Sequence, residues 1–134
     1  MDTTLIRYRL ERSKEALADA EMLLSCDRLT AAVNRMYYSM FYSVTALLKT
    51  RELASSKHSG VRALFNRHFV KTGIVPKEMG KFYEKIFNER KEGDYVDYTE
   101  FTSERVKDCF DKCAMYNARL AVIVNGIIEV EEKK

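Results

Sequence analysis

The stretch Ala31-Ala32-Val33-Asn34-Arg35-Met36-Tyr37-Tyr38-Ser39-Met40-Phe41-Tyr42-Ser43-Val44-Thr45-Ala46-Leu47-Leu48-Lys49 decides the fold. Val33, Tyr37, Met40, Val44 and Leu47 recur at alternating steps of four and three, and Met36, Phe41 and Leu48 widen the stripe. That periodicity predicts a helix packed between other helices. Two features exceed what packing needs. Arg35 stands among apolar residues, and Tyr37, Tyr38 and Tyr42 crowd into six positions. A guanidinium and three hydroxyls in such a place need partners or a cleft. The plainer reading is that Arg35 runs its stem along the core to reach solvent and that the tyrosines are amphipathic core residues.

Outward from this helix, the pattern stays helical. On the N-terminal side, Ile6, Leu10, Ser13, Leu17, Ala20 and Leu24 make the inward stripe of a helix from Thr3 or Thr4 to Leu24, with Thr4 as its cap. Cys26 to Thr30 is a short connector, with Asp27 and Thr30 as cap candidates, and so short a connector makes its two helices antiparallel. On the C-terminal side, the polar joint Glu52–Ser59 supplies serine caps for a helix of about His58 to Lys71. Its apolar face is Val61, Leu64, Phe65, His68 and Phe69, with His68 read as a satisfied core histidine. Gly73 fits a left-handed C′ position with Ile74 as the apolar residue after it, and Pro76 presets the next helix, about Pro76 to Lys91. Met79, Phe82, Tyr83, Ile86 and Phe87 face inward there, the stripe reaches Arg90, and Gly93 ends it.

The last helix, capped by Thr99 or Thr102, carries two seams. Val106, Phe110, Cys113, Asn117, Leu120, Val124 and Ile127 form the first, where one polar Asn117 can fix register. Cys109, Tyr116, Ile123 and Val130 form the second, which predicts burial on another side, against a second subunit. The expectation is a single all-α domain over residues 1–134, an up-and-down bundle of four longer helices and one shorter.

Composition agrees with that reading and narrows function. One proline, five glycines and no tryptophan in 134 residues argue against a many-turned β architecture. The net charge of +3 is too small to imply nucleic-acid binding, but it is uneven: residues 51–92 hold +5 and residues 93–134 hold −3. Cys26, Cys109 and Cys113 lack a disulfide spacing, which fits a reducing cytosol, and no histidine completes Cys109 and Cys113 into a metal site. The longest apolar run, Leu120 to Val124, is far short of a membrane span. These readings give a soluble, cytoplasmic protein with no metal, cofactor or membrane.

Three strings line up in order: Asn34-Arg35-Met36-Tyr37-Tyr38-Ser39-Met40-Phe41-Tyr42, Lys57-His58-Ser59-Gly60-Val61 and Arg90-Lys91-Glu92-Gly93-Asp94-Tyr95. With this order and spacing on a short all-α chain, the sequence resembles the HEPN family (higher eukaryotes and prokaryotes nucleotide-binding), nearest its short, free-standing prokaryotic members. The resemblance implies a helical bundle that is usually a homodimer. It also implies a nucleotidyltransferase partner in a toxin–antitoxin pair, with nucleotide or RNA as ligand. Many members are metal-independent ribonucleases whose motif is an Arg followed, after four to six residues with a polar residue between, by a His. Arg90 stands where that motif begins, yet residues 91–98 contain no His. Asp94 adds negative charge beside a phosphate and cannot become a cation, so ribonuclease activity is disfavoured. The looser spacings Arg51–His58 and Arg62–His68 lie elsewhere in the chain.

The reading is therefore a binding or regulatory module whose ligand site is lined by Arg35, Tyr38, His58, Arg90, Asp94 and Tyr95. Tyr95 is also a chemically reasonable acceptor for a nucleotidyl group. The alternatives are a ribonuclease toxin using Arg90 with Asp94, or with a histidine from elsewhere, and a structural dimeric adaptor.

Overall fold

In the computed structural model the backbone is described for residues 1–95 and 101–134, and the side chains for residues 1–90 and 101–134. The described residues are all-α: α1 (Thr3–Ser25), α2 (Leu29–Lys49), the short α3 (His58–Phe65), α4 (Lys77–Tyr95) and α5 (Ser103–Glu132). A single π-helical turn, Asn66–Val70, continues α3. The central element is α2, which touches α1, α3, α4 and α5. Its stripe of Val33, Tyr37, Met40, Val44 and Leu47 is buried to within 2%. Ile6 of α1, Phe65 of α3, Tyr83 and Ile86 of α4 and Leu120 of α5 close the core around it.

The helix ends differ from the sequence expectation in instructive ways. Asp2, not Thr4, caps α1, its carboxylate accepting from the Leu5 amide at 3.0 Å. Neither Asp27 nor Thr30 caps α2, which begins earlier, at Leu29, with Arg28 in the cap position and no side-chain bond. Asp27 instead takes the left-handed conformation (φ 59°) that turns the chain, and its carboxylate accepts from Ser103 Oγ at 2.9 Å. No serine caps α3. Lys57 holds the cap position, and the Ser55 hydroxyl accepts from the Lys57 amide. Gly73 is left-handed as expected (φ 81°), but Val75 rather than Ile74 is the apolar residue that packs, and the Val75 amide closes onto Phe69 O at 2.9 Å. Helix α4 continues through Gly93 to Tyr95, so glycine does not end it. Thr102 caps α5 by accepting from the Arg105 amide. Thr99, the other cap candidate, lies outside the described residues.

Helix α4 packs closely on the π-helical turn at Gly80, where a Cβ would lie 3.0 Å from both methyls of Val70 and force them to give by a few tenths of an ångström. The five aromatic and aliphatic residues expected to face inward on α4 all do so. Glu89 is buried with them, and Arg105 donates to its carboxylate.

In α5 the two expected seams are redistributed. Val106, Cys113, Asn117, Leu120 and Val124 are buried, and Ile128 takes the place expected of Ile127. Cys109 is buried inside the same core, so it cannot belong to an outer seam. Tyr116 is half-buried against Phe82, while Val122 and Val130 are exposed at 72% and 63%. By length and apolar content α5 is the one described helix that could cross a membrane; here its inner side completes the bundle core. His68 is half-buried rather than a core histidine, and its backbone carbonyl accepts from Thr72.

Candidate functional site

Successive turns of α2 present Arg35, Tyr38 and Phe41 on one half-buried flank. That flank meets the start of α3, which brings His58, and the end of α4, which brings Arg90. The Arg35 guanidinium lies over the Tyr38 ring at 5.2 Å, and the Arg90 guanidinium lies 5.8 Å from the same ring and 4.7 Å from that of Tyr37. Two cations thus share one aromatic residue, each held by the negative face of a ring. Residues 55 positions apart in sequence meet because α4 packs along α2.

His58 is the polar centre of this cluster. Its ring stacks on Phe41, with centroids 4.6 Å apart and planes 27° apart, and its edge meets Tyr38. The Tyr37 hydroxyl and His58 Nδ1 are 2.6 Å apart. Burial raises Tyr37 above its ordinary phenol range, the hydroxyl of Tyr83 and the charge of Arg90 offsetting it only in part, so it stays protonated. The Tyr37 hydroxyl and His58 Nδ1 share one hydrogen bond, whose donor depends on the imidazole tautomer, and Nε2 is the ring nitrogen left for a ligand. Burial, followed by the charge of Arg90, lowers the His58 pKa below its usual 6.5, which keeps the ring neutral at pH 7.

Among the described side chains the cluster brings together two guanidiniums and the imidazole of His58. Arg35 Nε is buried and has no hydrogen-bond partner among the described residues. Arg35 also lines the open groove of about 620 Å³ at the start of α2, together with Arg28, Asn34 and Asp27. The two guanidiniums beside the Tyr38 face suit an anion carrying a ring.

Of the six residues expected to line a site, Arg35, Tyr38, His58 and Arg90 come together. The side chains of Asp94 and Tyr95 lie outside the described residues. The other arginine–histidine spacings do not form sites. Arg51 packs over Phe69 and reaches the His68 carbonyl, and Arg62 pairs with Glu84 at 3.0 Å while lying over Phe87. Two participants escaped sequence reading. Tyr37 and Phe41 belong to the apolar stripe by spacing, and nothing in the pattern says that a core tyrosine would orient a histidine 21 residues away.

The HEPN domain family profile matches residues 6–115. A UPF0332 protein of Thermotoga maritima is 55% identical over 108 residues, 81% of this chain and 82% of the relative. Two proteins of Methanocaldococcus jannaschii that carry the name "Putative toxin" are also similar. One is 36% identical across 73% of this chain and 67% of its own length, the other 30% identical across 92% and 91%. This all-α bundle, with its flank of arginines and tyrosines, belongs to the HEPN domain family.

Proposed function

We propose that this HEPN chain is a toxin-type module that binds the phosphate of a nucleotide or RNA on the flank formed by Arg35, Tyr38, His58 and Arg90. Asp94 and Tyr95 complete the proposed lining. The toxin assignment rests on the names of the two Methanocaldococcus jannaschii relatives. The observation that carries the ligand class is the pair of guanidiniums over one tyrosine ring, with the imidazole of His58 against the same ring. The cations would hold a phosphate oxygen, and the Tyr38 face would carry a base.

The same reading includes a homodimer, a nucleotidyltransferase partner acting in the cytoplasm, and Tyr95 as acceptor of a nucleotidyl group. The dimer face would be the outward stripe of Ala118, Val122, Gly126 and Val130, whose apolar members are exposed.

A ribonuclease is the second reading, because the fold brings His58 close enough to Arg90 to feel its charge. Binding is preferred over cleavage because no histidine follows Arg90 in residues 91–98, where the motif would place its proton-transfer group.

The test is titration of a fluorescent single-stranded oligonucleotide with wild type and Arg35→Ala. Loss of about tenfold or more in affinity, with a shallower salt dependence, supports the site. Equal affinity reduces the cluster to structural polar packing. Cleavage that vanishes in His58→Ala, with the fold intact, would favour the second reading.

A further inference from the structure

Of the three tyrosines that crowd into α2, the flank described above uses Tyr37 and Tyr38 and leaves Tyr42 over. Arg35, Tyr38 and Tyr42 lie within about 60° of one another around the helix axis, so they form one row. The Tyr38 and Tyr42 ring centroids are 6.4 Å apart, with planes 43° apart. Helix α1 packs along α2 and brings a further cation to this row. The Arg12 guanidinium lies over the Tyr42 ring at 5.3 Å, and Nη2 donates to the Tyr42 hydroxyl at 3.5 Å. The row therefore repeats one unit, a guanidinium over a tyrosine ring: Arg35 on Tyr38 and Arg12 on Tyr42. Both rings are half-buried, so each keeps surface open to solvent.

The spacing of the rings discriminates among ligands. Nucleotides stacked in a helical strand rise about 3.4 Å each, roughly half the separation of these rings. Two bases laid on Tyr38 and Tyr42 therefore cannot stay stacked on each other. A duplex does not fit, and an unpaired strand whose bases splay apart does. The 43° between the ring planes also excludes a single base sandwiched between them. The row is two rings long. Asn34 stands one turn before Tyr38, and Thr45 and Ala46 stand where a third ring would follow Tyr42.

We propose that Tyr42 and Arg12 form a second nucleotide subsite, so that the ligand of this flank is a single-stranded RNA segment of two or more nucleotides and not a free mononucleotide. The inference rests on the phosphate-binding reading of Arg35, Tyr38, His58 and Arg90, and extends that site toward α1. One base lies on Tyr38 and its neighbour on Tyr42, with a phosphate of the second nucleotide at Arg12. Glu15 sets the condition for that last contact. Its carboxylate pairs with Arg12 Nη1 at 2.8 Å, the two side chains being 53% and 38% exposed. An ion pair so exposed holds weakly against an incoming phosphate. Glu15 is thus a competitor that the strand displaces.

The probes are 5′-phosphorylated oligouridylates of one, two and three nucleotides, titrated against the full chain at one salt concentration. Affinity should rise about tenfold or more from the first nucleotide to the second, and by less from the second to the third. Tyr42→Leu should remove the rise at the second nucleotide, and Glu15→Gln should enlarge it. Glu15 is exposed, so that variant reads the subsite even if Tyr42→Leu does not fold. Arg35→Ala should weaken every length, the mononucleotide included, which separates the two readings. If the mononucleotide binds through Arg35 and a second nucleotide adds nothing, the phosphate flank stands and the second subsite falls. A rise that survives in folded Tyr42→Leu, weaker dinucleotide binding by Glu15→Gln, or tighter binding of an RNA duplex than of either of its strands would overturn the proposal as well.

Discussion

The Tyr37 hydroxyl and the Nδ1 atom of His58, 2.6 Å apart, connect the centre of the core to the edge of the candidate site. Tyr37 is fully buried and stacks on Tyr83, with ring planes 9° apart, so its position is fixed by the packing of α2 against α4. The imidazole inherits that rigidity. Its orientation is set by core packing and not by the loop that precedes it.

His58 should titrate below the ordinary histidine value of 6.5, and Arg90→Ala should move its midpoint upward. The cause is the loss of a nearby positive charge, with burial left in place as the larger contribution. Proton NMR of the two histidines through pH 4 to 8 reads this directly. A midpoint that stays put in Arg90→Ala would mean that the two groups are not electrostatically connected.

The same depression has a sign for stability. An unfolded chain binds the His58 proton more readily than the folded one, so on this account folding weakens as pH falls from about 6.5 toward the folded pKa, and regains strength as pH rises through that window. His58→Gln should flatten the dependence of denaturation midpoint on pH in that window. Ligand binding runs the other way. A bound phosphate favours the imidazolium, so oligonucleotide affinity should increase as pH is lowered from 8 to 6 at constant salt. An affinity that is flat over this range would remove His58 from the ligand contacts.

Met40 is wholly buried at the middle of α2, and Met40→Ala should cost about 2–5 kcal/mol of unfolding free energy in urea. Thr102→Ala at the α5 cap should cost about 1 kcal/mol. A cap that costs as much as the core residue would overturn this ranking of core burial above capping.

Val122→Glu should leave thermal stability within about 0.5 kcal/mol, because the side chain is 72% exposed in the protomer. If the α5 stripe forms the proposed homodimer, sedimentation should show the wild type at twice the 15.6 kDa chain mass and the variant at that mass. A wild type that stays monomeric at micromolar concentration would refute the dimer.

The fold was legible because burial follows periodicity. Every residue of the Val33–Leu47 stripe and of the Met79–Phe87 stripe is where its spacing puts it, since a helix has one inner face and apolar residues must fill it. Caps were less legible. Asp2, Thr4, Asp27 and Thr30 all have cap chemistry, and which of them acts depends on where the chain turns, a tertiary matter. Of the site, Arg35 and Tyr38 stood out as polar groups in an apolar run. Tyr37, by contrast, is identical in pattern to a packing residue, and its bond to His58 exists only because α3 crosses that point of α2. The second seam of α5 was misread at Cys109 for a related reason. A seven-residue repeat identifies a stripe, but only packing tells whether the stripe faces the bundle or the outside.

The close approach at Gly80 reaches further than its own contact with Val70. Helix α4 is stiff, and Arg90 stands ten residues beyond Gly80, about 15 Å along the axis. A methyl group added at Gly80 would press on the Val70 methyls, which must give by a few tenths of an ångström. If α4 gives instead of Val70, the guanidinium that rests on Tyr37 and Tyr38 moves with it, and a change at a residue that touches no ligand would weaken binding as a change at Arg90 does.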